Sequence, residues 1–238
     1  MTKNENAYNT DVFLQEVVGK PDWKNDRMWK EHQDMQIKFL MARGLSPSTV
    51  FLDLGCGPMR LGSSLIPLLD DGFYYGQDLN VKTIALGEEV LESYNVARSK
   101  PYKLAATNDF SLSFVDRPVD IAFSNSLFSH LTLNSIAMAL ISVKEVLAPK
   151  GLFYSTFFSV DSIKDWRQPA NRNKWGREFF TYSLQDPFHY TFKMIQDLAK
   201  EVGYRATIDS SYNHPTQTMV KFQPIRPAIP FKLLTNRH

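Results

Sequence analysis

The stretch Val50-Phe-Leu-Asp-Leu-Gly-Cys-Gly-Pro-Met-Arg60 decides the fold of this chain. Its first residues are mostly apolar and short in extent, so they predict a buried strand over 49–54. The glycines that follow, Gly55 and Gly57, predict a tight turn that leads into a helix over 61–69. A buried strand, a glycine turn and a helix together form the opening of a βαβ unit.

The alternation of short apolar strands with longer helical segments continues along the chain in both directions. We predict further strands over 73–77, 103–106, 119–124, 151–158, 206–208 and 218–222, and helices over 29–43, 81–94, 134–147 and 192–202. Strands that alternate with helices imply parallel pairing and right-handed crossovers. The expected fold is therefore α/β, with a doubly wound, Rossmann-like, mostly parallel sheet of seven strands.

Composition and charge exclude several other classes of protein. The chain has 238 residues, with 27 Lys and Arg against 25 Asp and Glu, and this balance does not favour a nucleic acid partner. A single cysteine, Cys56, cannot form an internal disulfide, and the polar first residues do not resemble a signal peptide. No apolar run reaches the roughly 20 residues of a membrane span. We therefore expect a cytoplasmic protein without a membrane partner.

The turn after the first predicted strand carries an unusual combination of residues for a ligand site. Ligands of doubly wound sheets bind at the carboxyl ends of the strands, where glycine turns expose backbone amides. The dinucleotide fingerprint would require a third glycine at position 60, where this chain has Arg60. Asp53 stands two residues before Gly55, and a carboxylate there disfavours pyrophosphate and suits an ammonium group. The alternative is a tight turn without a ligand.

The segment Leu52-Asp-Leu-Gly-Cys-Gly57 resembles the first motif of class I S-adenosylmethionine-dependent methyltransferases. The resemblance implies S-adenosylmethionine as cofactor and S-adenosylhomocysteine as product. It further implies that Gly55 and Gly57 let the cofactor lie on the turn, and that Asp53 lies close to the amino-acid end of the cofactor.

The same resemblance assigns the other cofactor contacts to the ends of the following strands. Asp78 would accept hydrogen bonds from both ribose hydroxyls, and Leu79 would flank the adenine. Asn108 and Asp109 match the adenine-recognition position, although Asp109 could instead cap a turn. Ser124 lies where the sulfonium end of the cofactor would face the acceptor.

A closer resemblance extends to bacterial methyltransferases that modify small molecules or glycans. The segments that carry it are Trp29–Gln36, Gly55–Gly62, Ser126–Leu131, Asp186–Tyr190 and His214-Pro215. In such a family Arg60 would meet the carboxylate of the cofactor, and the alternative is a surface salt bridge.

Methyl transfer is an in-line displacement, so the enzyme mainly supplies alignment and, for a hydroxyl acceptor, a base. Three histidines are candidates for this base: His130, which follows the fourth strand, and His189 and His214, which come later. Each could equally be a packing residue. No spacing of His or carboxylates predicts a metal site, so we expect metal-free transfer to a small molecule or sugar, with oxygen favoured over nitrogen.

Two other functions remain open at this point. The chain could bind the cofactor and act as a regulatory protein without turnover, because intact cofactor motifs do not establish activity. It could also be an RNA methyltransferase, for which the weak support is a set of basic residues near Trp166 and Trp175, namely Arg167, Arg172, Lys174 and Arg177.

These patterns divide a single methyltransferase domain, 1–238, into five parts. A helical N-terminal cover (1–46) precedes the cofactor-binding core (47–158). The segment 159–187 has no clear periodicity, and such long connections are usually functional, so we interpret it as an acceptor-side insertion. A closing helix and strands (188–222) and a peripheral tail (223–238) complete the chain.

Overall fold

A computed structural model of the protein describes residues 27–96, 101–174 and 177–225. The first part of the predicted cover, Trp175 and most of the predicted tail therefore lie outside the described residues. Within the described ranges no helix is both long and apolar enough to cross a membrane.

In the described ranges, ten strands form one large sheet and one separate hairpin. They are β1 (Val50–Leu54), β2 (Phe73–Asp78), β3 (Tyr102–Ala106), β4 (Val119–Ser124), β5 (Leu147–Val160), β6 (Ala170–Lys174), β7 (Arg177–Thr181), β8 (His189–Thr191), β9 (Tyr204–Ile208) and β10 (Thr218–Pro224). Seven of them lie side by side in the order β3-β2-β1-β4-β5-β10-β9. The pairs from β3 to β5 are parallel, and β10 is antiparallel to both of its neighbours. The predicted doubly wound, mostly parallel fold is thus confirmed, and the sheet has an eighth strand, β8, beside β5 in addition to the seven predicted.

Six α-helices of the described part of the chain connect or cover these strands. They are α1 (Arg27–Ala42), α2 (Gly62–Leu65), α3 (Val81–Ser93), α4 (Leu133–Val146), α5 (Ile163–Trp166) and α6 (Phe192–Glu201). Polar side chains begin four of them: Asn80 accepts a hydrogen bond from Lys82 N, and Thr132, Ser162 and Thr191 cap α4, α5 and α6 in the same way. The sequence therefore encodes helix starts in the segments that follow the strands.

Two apolar layers, one on each face of the sheet, hold the fold together. On one face α1, α2 and α3 pack against Phe51, Tyr74 and Phe123. On the other face α4 and α6 pack against side chains such as Leu52 and Phe153. Alternate residues of the central strands point to opposite layers, so both sides of these strands are buried.

The segment 159–187 has more regular structure than the sequence predicted. It contains α5 and the hairpin of β6 and β7, and the following strand β8 pairs in parallel with the end of β5. Polar residues such as Asn171 and Asn173 are exposed on this hairpin, and this removes the apolar alternation on which strand prediction depends. At the other end of the chain, β10 continues through Gln223 and Pro224, which had been assigned to the tail.

The strand order places a crevice at one edge of the sheet. From β1 the chain winds outward through β2 and β3, and then returns to the other side of β1 as β4 and β5. This reversal leaves a gap between the carboxyl ends of β1 and β4, the position where doubly wound sheets bind ligands. The turns after β1, β2 and β4 meet there.

Candidate active site

The turn after β1 has a backbone that glycine favours strongly. Gly55 and Gly57 have φ angles of +74° and +55°, in the left-handed region that L side chains rarely adopt. The amides of Gly55 and Cys56 both donate to the carbonyl of Gln77, at 2.8 and 2.9 Å, so the turn is fastened to the end of β2. Open space lies where a Cβ of Gly57 would stand. A ligand can therefore approach the backbone at Gly57.

Asp78 ends β2 beside this turn, and its carboxylate is fixed from two sides. Oδ2 accepts a hydrogen bond from Gly57 N at 3.1 Å, and Oδ1 accepts one from Asn80 N at 3.0 Å. Burial raises the pKa of Asp78 above its usual value, whereas these backbone donors lower it. Each oxygen keeps further acceptor capacity, so the carboxylate can receive two hydroxyl donors. The neighbouring Leu79 side chain is 53% exposed and forms an apolar surface next to it.

Asp53 is a buried carboxylate at the end of β1. Its side chain is 4% exposed, and its Oδ2 accepts a hydrogen bond from the Tyr74 hydroxyl at 2.7 Å. Burial raises the pKa of Asp53 to about 7, although the Tyr74 hydroxyl and the positive charge of Arg60 both lower it. A cationic ligand group would therefore find a carboxylate that gains from being paired.

Arg60 lies close enough to Asp53 for the two charges to interact, and helix α1 holds it in place. Gln33 of α1 donates from Nε2 to the Arg60 carbonyl at 2.6 Å and also contacts Ser63 Oγ at 3.0 Å. The Arg60 guanidinium lies 5.8 Å from the centre of the Trp29 ring, within the range of a cation–π interaction. The predicted cover helix therefore positions a cation next to the glycine turn.

A small cavity opens among these elements at the crevice between β1 and β4. Three predicted cofactor residues line it together with four others, and the full set is Gln36, Asp53, Gly55, Cys56, Arg60, Leu61 and Asn125. The Cys56 thiol is buried, and burial raises its pKa well above its usual value. The wall thus offers one carboxylate, one guanidinium and two carboxamides rather than a reactive thiolate.

The loop between β9 and β10 is hydrogen-bonded to the turn after β4, next to the cavity. The Tyr212 hydroxyl donates to Asn125 Oδ1 at 2.7 Å, and Gln217 Nε2 donates to Ser126 Oγ at 3.0 Å. The loop is fastened to the end of α1, because the Arg43 guanidinium makes two hydrogen bonds of 2.6 Å to the carboxylate of Asp209. A forked Arg–carboxylate pair fixes orientation as well as distance.

Three other predicted cofactor residues, Asn108, Asp109 and Ser124, do not line the cavity. Asn108 and Asp109 are exposed after β3, and Asp109 Oδ1 accepts a hydrogen bond from Ser111 N at 2.9 Å, as a turn cap would. Ser124 is fully buried, and its hydroxyl lies 2.6 Å from that of Ser155 on the neighbouring strand. The side chain of Ser124 thus interacts within the sheet, while the next residue, Asn125, lines the cavity.

The three candidate bases differ sharply in their contacts. His130 Nδ1 lies 2.6 Å from Asp186 Oδ1, and its side chain is 21% exposed. His189 is fully buried, with Nδ1 at 2.9 Å from Thr181 Oγ1 and Nε2 at 2.9 Å from the carbonyl of Trp166. Since a carbonyl can only accept, Nε2 of His189 must carry its proton, and the ring has no nitrogen left for a substrate. This geometry favours a structural role for His189.

His214 lies in the loop between β9 and β10 and is also buried. Its Nδ1 accepts hydrogen bonds from the amides of Thr216 and Gln217, at 3.2 and 3.0 Å. Its ring stacks on Tyr212 and meets the ring of His32 edge-on at 5.6 Å. These contacts shape the loop next to the cavity, and they leave His130 as the histidine with the geometry of a paired base.

The structure adds three site residues that sequence reasoning did not single out. They are Gln36, which lines the cavity from α1, Tyr212, which donates to the cavity residue Asn125, and Tyr74, which holds Asp53. The buried polar face of α1 was a signal for Gln36, because His32, Gln33 and Gln36 follow a helical spacing among apolar residues. Nothing local in the sequence marks Tyr212.

Two further predictions concern metals and basic residues. In the ranges 27–96, 101–174 and 177–225, no group of three or more His, Cys, Asp or Glu side chains is arranged to hold a metal ion. Arg172, one of the basic residues considered for RNA binding, donates to the Ser159 carbonyl at 2.6 Å and lies over the Phe158 ring at 5.6 Å. Its guanidinium is thus used in packing.

Comparison with known proteins agrees with this architecture. Residues 52–153, from the end of β1 to β5, match the family model of a methyltransferase domain. This segment contains the glycine turn, Asp78 and Asn125. The match covers the part of the chain in which the sequence predicts the cofactor motifs of a class I methyltransferase, and it supports that prediction.

Solved methyltransferase structures share the fold over nearly their whole length. A complex of DhpI with S-adenosylhomocysteine has a TM-score of 0.61 at 15% identity, covering 94% of this chain and 98% of that one. Magnesium protoporphyrin IX methyltransferase from Synechocystis PCC 6803 with bound S-adenosylhomocysteine has a TM-score of 0.61 at 13% identity, covering 92% and 96%. An S-adenosylmethionine-dependent methyltransferase from Clostridium acetobutylicum has a TM-score of 0.61 at 15% identity, covering 92% and 99%.

Proposed function

We propose that this chain is an S-adenosylmethionine-dependent methyltransferase that methylates an oxygen atom of a small-molecule or sugar acceptor. The observation that carries the cofactor assignment is the carboxylate of Asp78, which Gly57 N and Asn80 N hold at the end of β2. Its fixed orientation beside the glycine turn suits the two hydroxyls of a ribose. Structures of the same fold that were solved with S-adenosylmethionine or S-adenosylhomocysteine support this assignment.

The residues of the crevice fit each part of this cofactor by their chemistry. Asp53 suits the ammonium group and Arg60 the carboxylate, and both line one small cavity. The open space at Gly57 admits the ligand to the backbone, and exposed Leu79 offers an apolar face to a base. When bound, S-adenosylmethionine supplies a methyl group on a sulfonium, and these residues would orient that group towards the acceptor.

Titration of the purified protein with S-adenosylhomocysteine by calorimetry tests the cofactor assignment. Micromolar binding corresponds to about 8 kcal/mol. We expect Asp78→Ala to weaken it by about a hundredfold, because two hydrogen bonds to a charged acceptor are lost. Asp71→Ala, at an exposed position just before β2, is the matched control and should bind like the wild type. A folded wild-type protein that binds neither cofactor nor product would refute the proposal.

The choice of oxygen as the methylated atom rests on the pair of His130 and Asp186. The carboxylate at 2.6 Å from Nδ1 orients the ring and makes Nε2 the nitrogen that takes up a proton from a hydroxyl. The backbone reinforces this contact, because Phe188 N donates to the Ser129 carbonyl at 2.7 Å. The segment 159–187 thus delivers its carboxylate to the turn after β4, which supports its interpretation as an acceptor-side insertion.

Turnover of S-adenosylmethionine with a panel of hydroxylated small molecules and sugars tests the acceptor assignment. Once an acceptor has been identified, His130→Ala should lower kcat by about 10²–10⁴ and leave the affinity for S-adenosylhomocysteine unchanged. Asp186→Asn should have a smaller effect in the same direction. Full activity of His130→Ala would refute the role of this histidine. Cofactor binding without methylation of any acceptor would instead support the regulatory function considered from the sequence.

A further inference from the structure

We infer that Gln36 of α1 is a cofactor-recognition residue, whose side-chain carbonyl accepts a hydrogen bond from the ammonium group of S-adenosylmethionine. The inference rests on the proposed function and deepens it. It assigns to the N-terminal helix, which lies outside the matched methyltransferase segment 52–153, a direct part in selecting the amino-acid end of the ligand.

The first observation is a buried polar atom without a partner. The Gln36 side chain is 3% exposed and lines the cavity next to Asp53 and Arg60. Within the ranges that the structure describes, no group donates a hydrogen bond to its Oε1. Leaving a buried carbonyl unpaired is unfavourable, so native proteins rarely retain one unless another group supplies the missing bond. The cavity is where that group would come from.

The second observation is a chain of hydrogen bonds that fixes which way the carboxamide points. Asn125 donates from Nδ2 to Ser126 Oγ, so its Oδ1 is the atom that accepts from the Tyr212 hydroxyl at 2.7 Å. The Tyr212 hydroxyl has only one proton and has donated it. Its oxygen can therefore only accept from a neighbouring side chain, and among the two ends of the neighbouring Gln36 carboxamide it suits Nε2 rather than Oε1. The carbonyl of Gln36 is left as the acceptor.

The third observation is the charge pattern of the cavity. Two acceptors, the Asp53 carboxylate and Gln36 Oε1, share its wall with one cation, Arg60. An ammonium group has three donors and can satisfy both acceptors, and a carboxylate can pair with the guanidinium. The wall is therefore complementary to a zwitterion. A ligand that lacks its amino group would leave Gln36 Oε1 unpaired.

The contribution of the proposed hydrogen bond between Gln36 and the ammonium group can be measured by comparing two ligands. S-Adenosylhomocysteine carries the amino-acid end, whereas 5′-methylthioadenosine keeps the adenosine and lacks that end. The variant Gln36→Met preserves the length of the side chain and removes the carbonyl. Lys38→Met introduces the same residue at an exposed position on the same helix and serves as the control. Calorimetry measures both affinities for the wild type and the two variants, and thermal unfolding checks that each is folded.

We expect Gln36→Met to lower the affinity for S-adenosylhomocysteine by about ten- to a hundredfold, as for a buried hydrogen bond to a charged group. Its affinity for 5′-methylthioadenosine should stay within about threefold of the wild type, and Lys38→Met should match the wild type for both ligands. An equal loss for both ligands, or no loss for either, would overturn the inference. If the folded wild type binds neither ligand, the proposed function fails instead, so the two failures can be told apart.

Discussion

If Asp53 pairs with the ammonium group as proposed, we expect the affinity for the cofactor to depend on pH, because this carboxyl is buried. Burial raises the pKa of Asp53 to about 7 in the ligand-free protein. An ammonium group beside this carboxyl favours its charged form and lowers its pKa in the complex. Acid therefore opposes binding, because Asp53 must release its proton before the ion pair can form. We expect affinity for S-adenosylhomocysteine to rise as the pH increases through 7.

The size of this effect follows from proton linkage. With a pKa of about 7, roughly nine-tenths of Asp53 is protonated at pH 6 and about a quarter at pH 7.5. If the complex holds the carboxylate fully charged, affinity should be about eightfold weaker at pH 6 than at pH 7.5, and binding at pH 6 should release about 0.9 proton. The stability of the ligand-free fold depends on pH in the opposite direction. Since its Asp53 binds a proton more tightly than the unfolded chain does, this contribution to stability is present at low pH and is lost as the pH rises through about 7.

Calorimetric titration at pH 6 and pH 7.5, repeated in two buffers with different heats of ionisation, measures both the affinity and the protons released. Asp53→Asn removes the titrating group while keeping a side chain of similar shape near Tyr74. We expect weaker binding by this variant, with little difference between the two pH values. The reasoning would be refuted if wild-type affinity were the same at both pH values, or if Asp53→Asn kept the same pH dependence.

Three further predictions concern the packing of the fold and the orientation of site residues. Gly72→Ala should lower the free energy of unfolding by about 1–3 kcal/mol in urea denaturation, because its Cβ would lie 2.3 Å from the Thr49 carbonyl oxygen. An unchanged stability would contradict this packing. Tyr212→Phe should weaken binding of S-adenosylhomocysteine by about three- to tenfold in calorimetry, less than Gln36→Met, since it removes only the hydroxyl that holds Asn125 and lies beside Gln36. His189→Leu should cost about 1–3 kcal/mol of stability and leave cofactor affinity unchanged, and a selective loss of affinity would argue against its structural role.

The central fold could be predicted because its signals are local. Short apolar runs such as 119–124 end at a polar or glycine turn, and their strand bounds agree with the structure. The glycine turn and Asp78 were also identifiable from sequence, because the turn follows β1, Asp78 ends β2, and the ends of both strands lie at the same edge of a parallel sheet. Their fixed order along the chain places them together without knowledge of any distant contact.

The acceptor side could not be predicted in the same way, because its contacts join segments far apart in the chain. Tyr212 meets Asn125 across 87 positions, and His130 meets Asp186 across 56. From the sequence alone, the three histidines were equal candidates for the catalytic base. Only tertiary contacts separate a ring with both nitrogens in use, His189, from one oriented by a carboxylate. The hairpin of β6 and β7 was missed because its exposed polar residues carry no periodicity.

The position of β10 between β5 and β9 has a consequence for how the protein is made. A ribosome releases β9 before β10, yet β9 joins the sheet only through its pairing with β10. The last strand of the sheet must therefore enter between two segments that were synthesised earlier. Until it does, the loop that carries Tyr212 has no fixed path to Asn125. A nascent chain can thus form the glycine turn and Asp78 before β10 inserts and fixes the loop that carries Tyr212.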